Sequence, residues 1–189
     1  MRTFVAVELT QECRNHLLEA IETLQAVAGG IKWSDEKKLH VTIKFIGELK
    51  EEALPRATSA LQDAAQEVQP FEMDISGLSG FPPEGVPNVL FAAVRDSTGA
   101  LHTLQSAVED VLAKELDVDR EDRDFIPHVT LGRVKKKGFC PPLEKLRGQL
   151  QDTHFGAVPV DEMVLIKSEL TPDGPIYTPL RHVGLEGEV

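Results

Sequence analysis

The tripeptide His-Val-Thr occurs twice in this chain, at residues 40–42 and 128–130. Each copy runs on into an apolar residue, Ile43 or Leu131, within a stretch of alternating character, LHVTIKF at 39–45 and IPHVTLGRV at 126–134. Alternation at period two, rich in β-branched residues, predicts a strand. With six histidines in the chain, two matches to one tripeptide arise by chance roughly once in a couple of thousand shuffled sequences. The surroundings repeat as well. FVAVE at 4–8 is echoed by FAAVR at 91–95, and Thr10 stands thirty residues before His40 as Thr98 stands thirty before His128. The first strands are 87 residues apart and the histidine strands 88, so one inserted residue reconciles the copies.

The remaining elements fit this frame. Residues 3–9 read as a buried strand, and Leu17, Ile21, Leu24 and Ala28 mark a helix capped by Thr10 and stopped at Gly29-Gly30. Leu54, Ala57, Leu61, Ala64 and Val68 mark a second helix, with Pro55 tolerable in its first turn. A strand at 71–77 precedes a Gly/Pro-rich loop over 77–88. After a strand at 91–95, Thr98 is placed to cap a helix carrying Leu101, Leu104, Val108 and Val111, and a shorter helix covers 142–150. Strands follow at 154–160, 162–170 and 176–183, with TPDGP turning between the last two. The expected fold is α+β. A single bilobal domain over 1–189 would hold two similar lobes related by a pseudo-two-fold, mainly antiparallel sheets flanking a central cleft with helices outside. The repeat spans about 3–78 and 88–160, and strands within 162–183 complete the lobes.

Because side chains alternate across a strand, His40 and Thr42 share one face, as do His128 and Thr130. Each motif thus presents an imidazole beside a hydroxyl. In-line displacement at phosphorus needs a base on the attacking oxygen and an acid on the leaving oxygen opposite. Two histidines facing each other across a two-fold supply both, since imidazole titrates near neutrality. The threonine hydroxyls would hold the non-bridging oxygens. A zinc site is disfavoured: no Cys, Asp or Glu stands at ligand spacing to either histidine. His16, His102, His154 and His182 lack such companions and read as packing residues.

Charge bounds the substrate. Twenty Lys plus Arg against thirty-one Asp plus Glu give a net charge of −11, which excludes a broad nucleic-acid groove and leaves local contacts. Lys135-Lys136-Lys137 is the one basic run. Acidic pairs such as Asp35-Glu36 read as surface loops. The opening apolar stretch is too short for a signal-peptide core and no transmembrane run exists. Cys13 and Cys140 make no CxxC pair, so neither a disulfide framework nor a metal knuckle is expected, and the reducing cytoplasm is the expected location.

LHVTIKFIGEL and RDFIPHVTLGRV resemble the paired signature motifs of the two-histidine phosphoesterases, specifically the bacterial and archaeal RNA 2′,3′-cyclic phosphodiesterases, also called 2′-5′ RNA ligases. The opening RTFVAVEL, the block WSDEKKLHVTIKFIGEL, GLSGFP and the closing LIKSELTPDGPIYTPL extend the likeness over nearly the whole chain. The resemblance implies metal- and cofactor-independent opening of a terminal 2′,3′-cyclic phosphate to a 2′-phosphomonoester. His40 would be proton donor and His128 proton acceptor; Thr42 and Thr130 would bind phosphate. Arg133 occupies a position where the family often has a phosphate-binding arginine, although strict alternation puts it opposite His128 unless a bulge intervenes. Phe45 matches it after the first motif; its alternation favours the core, whereas the resemblance places aromatics near the base. Phe81, Tyr177 and Trp33 are further candidates for stacking on a base. The expected partner is RNA with a 2′,3′-cyclic phosphate end, held by that end alone by a monomer, with no membrane. ATP-independent 2′-5′ ligation, action on smaller cyclic phosphates, and a non-catalytic nucleotide- or RNA-binding module remain open alternatives.

Overall fold

The computed structural model describes residues 1–148, 150–172 and 174–187. Strand β1 (Arg2–Glu8) leads into α1 (Gln11–Gln25), where Thr10 caps as expected, accepting from the Cys13 N–H at 3.2 Å. The short β2 (Ile31–Trp33) and a 3₁₀ turn at Glu36–Lys38 precede the histidine strand β3 (His40–Glu48). Helix α2 (Leu54–Ala65) and strands β4 (Phe71–Phe81) and β5 (Val89–Arg95) follow. Then come α3 (Ala100–Leu116), the second histidine strand β6 (His128–Val134), α4 (Leu143–Arg147), β7 (His154–Val160), β8 (Glu162–Thr171) and β9 (Gly174–Gly184).

The expected mixture of helices and antiparallel strands is present, and the two halves share one curled sheet. Its order among the described residues is β7-β4-β5-β6-β3-β1-β8-β9, with β2 paired to the edge of β6, and every pairing is antiparallel. Outward from the β3–β6 seam the matching strands β1 and β5 come next, followed by β8 and β9 on one side and β4 and β7 on the other. The half around β6 draws on both repeats, since β4, from the first, hydrogen-bonds to β5; the half around β3 is completed by β8, which lies beyond both repeats and hydrogen-bonds back to β1. Hairpin formation decides this, because β4 and β5 are neighbours in sequence and close the shorter loop. Helices cross over in the same sense, α1 packing on β7 and α3 on β3.

One face of the sheet is buried beneath the helices by Val5, Val7, Val41, Ile43, Val129 and Leu131 packed against Leu17, Leu61 and Leu104, all at most 3% exposed. The other face carries a small cluster of Phe4, Ala6, Val164 and Ile166 with Tyr177 against it. Several local expectations change. The segment 77–81 is strand rather than loop, because Gly77 takes φ +70° and lets β4 slip register and continue to Phe81. Residues 31–33, to which the sequence patterns assign no element, form β2. The helix after β5 starts at Ala100; Asp96, not Thr98, accepts from Leu101 N–H at 2.8 Å, while the Thr98 hydroxyl accepts from Ala100 at 3.2 Å. The turn between β8 and β9 falls in part on Asp173, outside the described residues.

Candidate active site

β3 and β6 meet at one ladder pair, Val41 opposite Val129. Both valines are fully buried on the helix side, so their neighbours His40, Thr42, His128 and Thr130 project from the open face, at the middle of the sheet. Beyond this pair the strands part, and β2 takes the space beside β6: Ser34 N–H donates to Leu131 O at 2.8 Å and the Ser34 hydroxyl to Thr130 O at 2.8 Å. The seam therefore brings the two His-Val-Thr copies together.

Both histidine strands carry the same irregularity. On β1, Val5 and Ala6 face Lys44 and Thr42, skipping Ile43; on β5, Leu90 and Phe91 face Gly132 and Thr130, skipping Leu131. These bulges slip the alternation by one residue at equivalent positions. Arg133, which strict alternation puts opposite His128, returns to the open face; its charge acts on both His128 and Tyr177. Phe45, which alternation places in the core, is 61% exposed with its ring 5.7 Å from that of Phe4. Lys44 and Gly132 are turned inward in exchange. The Lys44 ammonium is buried against Glu109 Oε1 at 3.0 Å and donates to Asp119 O at 2.7 Å. Gly132 must lack a Cβ, which would stand 2.7 Å from Ile31 Cγ2 and 3.0 Å from Trp33 Cε3.

Each imidazole lies in an aromatic corner. His40 stacks on Phe4 at 5.1 Å and meets the edge of Tyr177 at 5.4 Å. His128 lies 5.0 Å from Phe91 and 5.3 Å, edge-on, from Phe81. Phe81, expected in a loop, lies on a strand as Tyr177 does, and both meet the histidines. Trp33 packs toward the core over Gly132, and among the described residues its ring meets neither histidine. Phe4 and Phe91 went unread as site residues, although the FVAVE/FAAVR echo had already aligned them. Position in the motif was the available signal.

The hydrogen bonds differ between the copies. His128 Nδ1 donates to Ile126 O at 2.8 Å in the neutral form, which leaves the Nε2 lone pair free. His40 Nε2 instead shares a hydrogen bond with Thr42 Oγ1 at 3.1 Å. Burial, with His128 and Arg14 adding to it, pushes the His40 imidazole down to about 4. Burial and Arg133 also lower His128, partly opposed by its bond to Ile126. Burial raises the Tyr177 phenol against the pull of Arg133, Lys38 and Arg2.

The other histidines take ordinary partners: His16 meets Phe155 O at 2.9 Å, His154 meets Asp74 at 2.9 Å, and His102 lies edge-on to Phe125 at 5.3 Å. Among the described residues one group, Glu8, Glu162 and His182, brings three metal-ligand atoms within 4.8 Å of one another; neither His40 nor His128 belongs to it. Cys13 and Cys140 are free and buried. No helix of the described residues is long and apolar enough to cross a membrane.

A family model described as the 2′-5′ RNA ligase superfamily matches residues 13–172, which includes both bulged histidine strands. The chain belongs to that superfamily. Within it, the chain is similar to a protein of Methanothermobacter thermautotrophicus named RNA 2′,3′-cyclic phosphodiesterase, 34% identical over 178 residues, covering 94% of this chain and 95% of the relative. A protein of the same name from Archaeoglobus fulgidus is 36% identical over 181 residues, 96% and 98% of the two chains. The crystal structure of TT0787 of Thermus thermophilus superposes with a TM-score of 0.82 at 33% identity over the whole of both chains. Escherichia coli LigT, solved in complex with 3′-AMP, shares the fold at a TM-score of 0.75 and 22% identity over 97% of each.

Proposed function

We propose that this protein opens terminal 2′,3′-cyclic phosphates of RNA to 2′-phosphomonoesters by histidine acid–base catalysis without a metal, as a cytoplasmic monomer. The carrying observation is the seam, where the Val41–Val129 pair puts both histidines and both threonines on one open face. The names of full-length relatives supply the substrate class. His128, with Nδ1 tied to Ile126 O, takes the proton of the attacking water at Nε2. As the new O–P bond forms, the bond from phosphorus to O3′ breaks, and His40 hands its proton to that departing oxygen. Thr42, Thr130 and Arg133 hold the non-bridging oxygens, while Phe45, Phe81 and Tyr177 offer faces to the bases. His40, at about 4 in the free protein, acquires its proton with the anionic phosphate, whose charge favours imidazolium.

The test is product analysis on an oligoribonucleotide ending in a 2′,3′-cyclic phosphate, with and without EDTA. A 2′-phosphate formed equally in both arms supports the reading. Activity lost to EDTA and restored by zinc, binding without turnover, or a 3′-phosphate product each overturns it. A new 2′-5′ linkage in the presence of a 5′-hydroxyl acceptor would show ligation.

A further inference from the structure

A cavity of about 420 Å³ adjoins the histidine site, between Asp35, Lys37 and Lys38 of the 3₁₀ turn and Gly174, Ile176 and Tyr177 at the start of β9. Tyr177 belongs to both places, since its ring also edges His40 at 5.4 Å. In a chain of net charge −11 this wall is locally cationic. The Asp35 carboxylate is bonded to the Lys38 ammonium. Lys37 is exposed and has no ion-pair partner among the described residues. Lys32 and Lys38 converge on Gly174: their Nζ atoms lie 3.2 and 3.8 Å from where its Cβ would stand. A second cavity, of about 400 Å³, lies on the far side of Lys32, with Lys135, Lys136 and Phe139 in its wall.

We propose that the groove over Lys37 and Lys38 binds the phosphodiester immediately 5′ of the terminal nucleoside, so that the substrate class is a polynucleotide end and not a mononucleotide. The inference rests on the cyclic-phosphate reading. Tyr177 sits beside the reacting imidazole and is the platform for the terminal nucleoside. Gly174 is three residues further along the strand, about 10 Å, so the lysines meeting it lie where the upstream backbone must leave. Lys38 neutralises Asp35, and Lys37 supplies the remaining charge for a phosphodiester oxygen. The exposed ring of Phe139 and Lys136, past Lys32, continue the same lane.

The experiment compares a nucleoside 2′,3′-cyclic phosphate with a dinucleotide carrying the same cyclic end, across a salt series. The dinucleotide should show kcat/KM higher by about tenfold, mostly through KM, and a log–log salt slope steeper by about 0.7 for one added phosphate contact. Lys37→Glu should collapse the ratio between the two substrates toward unity, and Lys37→Arg should keep it. Equal kcat/KM values with parallel salt slopes, or a ratio untouched by Lys37→Glu, overturn the groove while leaving the cyclic-phosphate reading intact. Turnover of neither substrate overturns that reading instead. Calorimetric affinities of the 3′-phosphorylated mono- and dinucleotide then decide the groove, and equal affinities overturn it.

Discussion

His40 and His128 occupy matching positions in a duplicated chain yet have different partners, and the proposed division into acid and base rests on this difference. The bond from His128 Nδ1 to Ile126 O fixes a tautomer with Nε2 available as acceptor. His40 lacks that arrangement and shares Nε2 with Thr42. Replacing either histidine with alanine should reduce kcat by about 10²–10⁴ in a protein that still folds, measured on a cyclic-phosphate oligonucleotide; a folded variant with near wild-type rates would sink the assignment. Thr42→Val or Thr130→Val should cost on the order of ten- to a hundredfold, as for a lost hydrogen bond to a charged group. In the free protein the base must be neutral and the acid protonated, but both imidazoles are held below their ordinary values, His40 at about 4. The kcat/KM profile should therefore peak on the acid side of the ordinary imidazole range, whereas kcat should peak at higher pH, because bound phosphate favours the protonated acid. Profiles that coincide would contradict this coupling between anion and proton.

At the scale of the element, the decisive feature is the bulge after each motif. The burial patterns of His40–Ile46 and His128–Val134 are the same residue for residue, half-buried and buried in turn until two buried positions adjoin. That slip carries Phe45 and Arg133 to the open face. Phe45→Ala should leave stability within about 1 kcal/mol of wild type, where a core phenylalanine would lose about 3–5 kcal/mol; denaturant titration separates the two. Gly132→Ala places a methyl 2.7 Å from Ile31 Cγ2, so it should cost about 1–3 kcal/mol and lower activity by displacing β2 and the neighbouring Arg133. The inward Lys44 is matched by Glu109, which also accepts from Gln105 and from the N–H of Glu121 in the segment leading to β6. Glu109→Ala strands a buried ammonium and should destabilise by about 3–5 kcal/mol.

Across the whole molecule, β4 of the first repeat passes into the half built on the second, and α1 and α3 each pack against a strand of the opposite half. The duplicated unit shows where its copies meet at β3 and β6, each flanked by its own first strand, β1 or β5. Global stability should carry the signature of the buried imidazole. His40 falls from its ordinary value near 6.5 to about 4 in the folded protein, so between these values the unfolded chain binds the extra proton. Its contribution is complete above pH 6.5 and is lost as pH falls toward 4, by at most about 3 kcal/mol. Chemical denaturation of wild type and His40→Gln at both pH values checks this: the variant should lose less stability on acidification, and equal losses would refute it.

Much of the fold was legible in the amino-acid order because its signals are local. Alternation, helical spacing, the Thr10 cap and the repeated His-Val-Thr are written within a few residues of where they act, and they identified the histidine–threonine pairs and the α+β class. Tertiary pairing decided the rest. Whether a strand keeps its two-residue period depends on the neighbour it pairs with, so the bulges at Ile43 and Leu131, and with them the outward turn of Phe45 and Arg133, have no local signal. The same holds for the passage of β4 into the other half, for β2 beside β6, and for the approach of Phe81 and Tyr177 to the histidines. All of these are set by contacts between residues far apart in sequence, whose energies exist only once the sheet has closed on the seam.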